Sequence, residues 1–131
     1  MRRTVAIGLK IPDNAAYTAL VALRKLGVEV ARTERSEILF FDDEGDAGAL
    51  AARILADETI FNPNKHRLTL LDGATPRAGE AWIEELGPAR RAHHATAWRL
   101  FDHDGAPAPR ETVACAVERL LCNPAIEKAV F

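Results

Sequence analysis

No stretch of this 131-residue chain reaches the roughly 18–20 consecutive apolar residues that a membrane span needs. The opening Met1-Arg2-Arg3-Thr4-Val5-Ala6-Ile7 has the charged front of a signal peptide, but Lys10, Pro12, Asp13 and Asn14 interrupt any apolar core, so the segment reads as a mature first strand. Charge of one sign is also missing. The formal net charge is −2, and the arginine doublets Arg2-Arg3 and Arg90-Arg91 read as solvated surface, which argues against a nucleic-acid footprint. Cysteine is scarce. Cys115 and Cys122 lie seven residues apart in a predicted helix, a rise of about 10 Å that exceeds the roughly 7 Å Cα reach of a disulfide. They are expected to be small, buried, reduced thiols, as in a cytoplasmic protein.

The signatures of the commoner active sites are absent too. No GxGxxG follows a strand and no GxxxxGK[ST] occurs, so nothing marks a phosphate-cradling loop or a nucleotide cofactor. There is no CxxC or HxxxH, the spacings of dedicated zinc sites. His93 and His94 are adjacent, and in a strand they would point to opposite faces. His103 between Asp102 and Asp104 reads as a solvated turn, as does Asp42-Asp43-Glu44. Cys115 sits between alanines without a neighbouring base, and Ser36 has no GxSxG context. Trp82 and Trp98 are expected in the core or at an interface. The sequence therefore nominates no catalytic, cofactor-binding or metal-ligating residue.

What is present is an ordered run of elements. Val5, Ile7, Leu9 and Ile11 alternate as in a strand with one buried face. Asp13 or Asn14 can cap a helix that carries Tyr17, Leu20, Val21 and Leu23 and stops at Gly27. Residues 28–42 are extended, as one bent strand or a hairpin. A second helix carries Leu50, Ile54 and Leu55, Asn62-Pro63 breaks it, and 66–71 is a strand. A helix with Trp82, Ile83 and Leu86 is then expected to stop at Gly87. Residues 89–102 read as extended, 111–121 as helix, Asn123-Pro124 as a break, and 125–131 as a last strand.

The elements repeat. Leu26-Gly27 matches Leu86-Gly87, and Phe41-Asp42-Asp43-Glu44-Gly45 matches Phe101-Asp102-His103-Asp104-Gly105, both at an offset of 60. Asn62-Pro63 matches Asn123-Pro124 at an offset of 61. On this reading one domain holds two units, 1–72 and 65–131, that share the strand 66–72. That strand is expected at the centre of the molecule, with 5–61 superposing on 65–122.

The closing Leu120-Leu121-Cys122-Asn123-Pro124-Ala125-Ile126-Glu127 resembles the helix-to-strand signature of the PurS family, the small subunit of phosphoribosylformylglycinamidine synthase. Leu9-Lys10-Ile11-Pro12, Ala22-Leu23-Arg24-Lys25-Leu26-Gly27 and Arg32 fall where that family has its strand end, helix end and arginine. Asp13-Asn14-Ala15-Ala16 and Glu34-Arg35-Ser36-Glu37 depart from it. The resemblance implies an α+β, ferredoxin-like-related fold of duplicated PurS-like βαβ units, an antiparallel sheet with helices mainly on one face. It also implies a non-catalytic scaffold in purine biosynthesis, bridging the ATP-using large subunit and the glutaminase subunit. The partners would be those subunits or further copies of the chain, with no cofactor, and Trp98 and Phe131 are the candidate interface residues. A small-molecule-binding regulatory module is the alternative, and a stand-alone enzyme a more distant one.

Overall fold

A computed structural model of the chain describes residues 2–42, 45–71 and 73–131. The Asp43-Glu44 part of the first acidic turn lies outside them. Strand β1 (Arg2–Leu9) leads to helix α1 (Asn14–Lys25), strand β2 (Arg32–Asp42), helix α2 (Ala47–Leu55) and strand β3 (His66–Leu71). Strands β4 (Glu80–Glu85) and β5 (His94–Phe101) follow directly on one another. Helix α3 (Arg110–Ala116) then widens into a π turn (Val117–Leu121) before strand β6 (Glu127–Val130). The six strands form one antiparallel sheet in the order β3-β1-β2-β5-β4-β6, so the fold is α+β. Among the described residues no helix is long and apolar enough to cross a membrane.

Local chemistry explains the element ends. Asp13 caps α1, its carboxylate accepting from Ala16 N–H at 3.1 Å. Gly27, at φ +83°, terminates the helix in a left-handed conformation that costs glycine little. Gly79 is required for a second reason. A Cβ there would stand 2.8 Å from the Leu100 carbonyl oxygen and 3.0 Å from Ala108 N, at a φ of +74°. Val28 and Val30 precede β2 without joining it, and 32–42 is a single strand rather than a hairpin.

Side-chain alternation sorts the sheet into two faces. Val5 and Ile7 of β1 pack under Leu50 and Ile54 of α2. On the same face, Leu100 of β5 and Ala81 and Ile83 of β4 meet Leu23 of α1 and Val113, Ala116 and Leu121 of the α3 segment. All three helices therefore cover this face. The opposite face carries a second apolar layer, Ala6, Ile38, Phe40, Trp82, Ala95 and Ala97. The alanines of β5 leave room for Phe40 of β2 to meet Trp82 of β4 edge to face across them, ring centroids 5.6 Å apart.

Two expectations need correcting. Residues 80–85 are a strand, not a helix with Trp82, Ile83 and Leu86 on its face. Ala81, Trp82 and Ile83 are consecutive and all buried, because β4 lies inside the sheet with an apolar layer on each side. A short continuous apolar run of that kind carries no period by which to distinguish strand from helix. The second correction concerns 66–71. β3 is an edge strand paired only with β1, not the centre of the molecule. Residues 65–122 hold β4 where 5–61 hold α1, so those two segments do not superpose as expected. Leu26-Gly27 ends a helix, whereas Leu86-Gly87 follows a strand.

The Asn-Pro matches are of a different kind, because their hydrogen-bond patterns coincide. Asn62 Oδ1 accepts from Asn64 N–H at 2.9 Å and Asn123 Oδ1 from Ala125 N–H at 3.1 Å. His66 N–H donates to Asn62 O, and Glu127 N–H to Asn123 O, each at 2.8 Å. Each asparagine N–H donates to the side chain four residues on, His66 Nδ1 or Glu127 Oε1, at 2.9 Å. In both places the turn feeds an edge strand, β3 or β6.

Candidate functional site

The helix-bearing face opens into a cleft of about 340 Å³ between the start of α1 and the loop after α2. Ile7, Leu39 and Ile60 give it apolar walls, and Arg35, Glu37, His66, Arg91 and His94 give it charge. Strand alternation places Arg35 and Glu37 there: they continue the β2 face that carries Leu39 and Phe41 into the core under α2. His94 arrives from β5, directly beside Leu39 in register.

The charged groups are paired in a chain. The Glu85 carboxylate accepts from Arg91 N–H at 2.9 Å and from Arg91 Nε at 3.1 Å. Arg91 reaches Glu37 at 4.0 Å, and His94 Nε2 donates to Glu37 Oε2. Arg35 bridges to the capping Asp13 at 3.4 Å. His66 Nδ1 accepts from Asn62 N–H, so in the neutral imidazole the proton sits on Nε2. Of the hydroxyls lining the cleft, Ser36 is turned to the opposite face against Gly8, and Thr59 Oγ1 donates to Asp57 at 2.6 Å. The cleft thus offers an oriented imidazole–carboxylate pair and paired charges of both signs, without a free hydroxyl poised as a nucleophile. That arrangement suits binding a small polar ligand better than covalent chemistry.

The His94 hydrogen bond holds the Glu37 carboxyl below its ordinary 4.5; burial opposes the shift, and the charges of His94, Arg91 and Arg35 assist it. A carboxyl with a lowered folded-state pKa contributes stability that is complete above the unfolded value and lost as pH falls through the folded one. Glu37→Gln should therefore flatten the acid side of the stability profile, narrowing its deficit against wild type as pH falls below about 4.5. Urea midpoints measured across the acid range check this. Parallel profiles for the two proteins would show that the pair does not act as described.

The residues nominated from sequence lie elsewhere. Trp98 is half-buried against the cluster under α1 and α3, at a shallow apolar groove with Ala15, Ala22 and Leu120. Phe131 packs on the same cluster, with the Arg110 guanidinium 5.1 Å from its ring centroid. The structure does not bring the two into one pocket among those described. Cys115 and Cys122 are half-buried free thiols, and burial together with Glu127 pushes the Cys122 thiol up. His93 is not in a strand but in a left-handed turn before β5, at φ 56°. Asp102 closes its turn by accepting from Asp104 and Ala106 N–H at 2.9 and 3.0 Å. Among the described residues no group of three or more His, Cys, Asp or Glu could hold a metal ion.

Sequence reasoning did not find Glu37, His94, Arg35, Arg91 or His66. The available signal was Arg35 and Glu37 at alternate positions, in phase with apolar Leu39 and Phe41, where a one-faced strand should bury apolar groups. No family model, no curated protein and no solved structure matches the chain.

Proposed function

We propose that this chain is a non-catalytic scaffold subunit built from two PurS-like units, serving a glutamine-dependent synthase of the phosphoribosylformylglycinamidine type. The observation that carries the reading is the strand order. From the β2–β5 joint outward, each half presents an inner strand, then the strand that opens that half, then an edge strand: β2-β1-β3 on one side and β5-β4-β6 on the other. A helix and a matching Asn-Pro turn lead to each edge strand. The joint is antiparallel, as a twofold axis between two like units requires. In this reading the units run from β1 to β3 and from β4 to β6, and the second has replaced its first helix with the short connection 86–93. Such a chain completes within itself the edge-to-edge pairing that a single unit would seek from another copy.

The role follows from the resemblance: to hold an ATP-using subunit and a glutaminase together so that ammonia passes between them without loss. The test is co-elution of this protein with each subunit, with glutamine and nucleotide present and absent. Trp98→Ala is the informative variant. If Trp98 anchors a partner, the variant keeps most of its melting temperature and loses co-elution, since interface anchors are commonly aromatic. Early melting with partner binding intact would return Trp98 to the core and remove it from the interface. Wild-type protein that never co-elutes with either subunit would defeat the scaffold reading.

A specific observation favours a second reading, a small-molecule-binding regulatory module. It is the cleft with His94, Glu37, Arg35 and His66, whose charges of both signs would suit a zwitterion such as an amino acid. A thermal-shift series of amino acids on wild type and Glu37→Gln separates the two: stabilisation that the variant loses supports the module.

A further inference from the structure

A second concavity, of about 350 Å³ and mostly polar, lies past the end of β1; it shares Gly8, Leu9, Asp13, Arg35 and Ser36 with the cleft, reaches round to the opposite face of the sheet, and is not used by the scaffold reading. Its position follows from strand lengths. The β1–β2 pairing ends at Gly8↔Ser36, while β2 pairs with β5 back to Arg32. Residues 33–35 therefore run past β1 with no partner strand on that side, and the start of α1 closes the gap from behind with Asp13 and Ala16.

Four arginines line this hollow: Arg35, Arg67, Arg77 and Arg99. Two are already neutralised, Arg35 by Asp13 at 3.4 Å and Arg77 by Glu80 at 2.7 Å. The acidic lining residues are likewise engaged, Asp13 as above and Glu34 by Arg32 at 3.2 Å. Arg67 of β3 and Arg99 of β5 have no carboxylate partner among the described residues. Arg99 stands opposite both Glu34 and Glu80 in register, yet those carboxylates bind other arginines, and its Nε is buried without an acceptor. The Arg99 guanidinium sits 5.1 Å from the centroid of the Phe101 ring, which leaves its buried Nε–H without an oxygen acceptor, and a buried donor left so is costly. Ser36 and Thr69 add hydroxyl donors to the lining, and Gly8 keeps the wall between them free of a side chain.

From this we infer that the hollow is an anion site for the phosphate of a small phosphorylated molecule, held between Arg67 and Arg99. Guanidinium forks match the oxygens of phosphate, and charge-assisted bonds of this kind are the strong ones. The volume lies at the low end of small-ligand pockets, roughly 300–1,000 Å³, so the ligand would be a phosphate with a modest organic body rather than a polymer.

Calorimetric titration of the whole protein with inorganic pyrophosphate at low ionic strength tests the assignment. Binding should weaken by about tenfold or more in Arg67→Ala, whose side chain is exposed and whose loss should leave the fold intact. Arg99→Lys should do the same while keeping the charge, because a lysine cannot fork. Arg90→Ala, an exposed arginine outside the hollow, should bind as wild type does. No pyrophosphate binding at millimolar concentration overturns the proposal, as does binding that Arg67→Ala and Arg90→Ala weaken equally, the mark of diffuse charge attraction. Citrate bound as tightly as pyrophosphate, with the same arginine dependence, would overturn the phosphate class.

Discussion

Trp82→Ala is expected to remove about 3–5 kcal/mol of folding stability, a large share of the 5–15 kcal/mol a domain usually has. Trp82 is only 2% exposed in a strand flanked on both sides, and its ring fills the layer on the helix-free face against Phe40. Its neighbours there are Ala95 and Ala97, too small to collapse into the space. Trp82→Phe should behave quite differently. The indole Nε1 is buried without an acceptor, so removing it relieves a desolvation cost of about 1–3 kcal/mol while most of the ring remains. Urea denaturation should rank wild type and Trp82→Phe close together and Trp82→Ala far below. An alanine variant with a near-native midpoint would mean that this layer is not a core.

Arg77→Ala is expected to cost a similar amount by a different route. The Glu80 side chain has no solvent exposure. Its carboxylate takes hydrogen bonds from Arg77 N–H at 2.8 Å, Nε at 3.2 Å and Nη2 at 2.7 Å. Deleting the guanidinium leaves a buried carboxylate with one backbone donor and no counter-charge, which typically costs about 3–5 kcal/mol. Adding Glu80→Gln to Arg77→Ala should recover much of that loss, because an amide is far easier to bury than a charge. A double variant as unstable as Arg77→Ala alone would place the damage in the 76–79 turn instead of in the buried charge.

These two sites show what a sequence can and cannot display. The Asp13 cap, the Gly27 stop, the strand 66–71 and the Asn-Pro turns are local events, set by residues within a few positions of one another, and they were legible. β4 was not. Glu80 and Glu84-Glu85 around an apolar triplet, with Gly87 behind, imitate a short helix, and only the neighbouring strands make it a strand. The edge position of β3 was hidden for the same reason, since it depends on β1 taking β2 on its other side. The cleft is harder still. Glu37 and His94 are 57 residues apart in sequence and meet only because β2 and β5 pair in one particular register. No pattern within either strand announces the partner. The Arg67–Arg99 hollow depends likewise on β1 ending two turns of the pleat before β2 does.

The scaffold account and the two concavities are compatible, because the cleft and the hollow, which share Gly8, Leu9, Asp13, Arg35 and Ser36, do not count the proposed partner anchor Trp98 among their lining residues. The most direct measurement of the central claim is reconstitution of the synthase reaction with glutamine or with ammonium as nitrogen donor, using the large and glutaminase subunits with and without this protein. The account predicts that adding the chain raises the glutamine-dependent rate and leaves the ammonium-dependent rate unchanged, because a scaffold couples the two sites without taking part in either reaction. A glutamine-dependent rate that stays the same when the chain is added would contradict it.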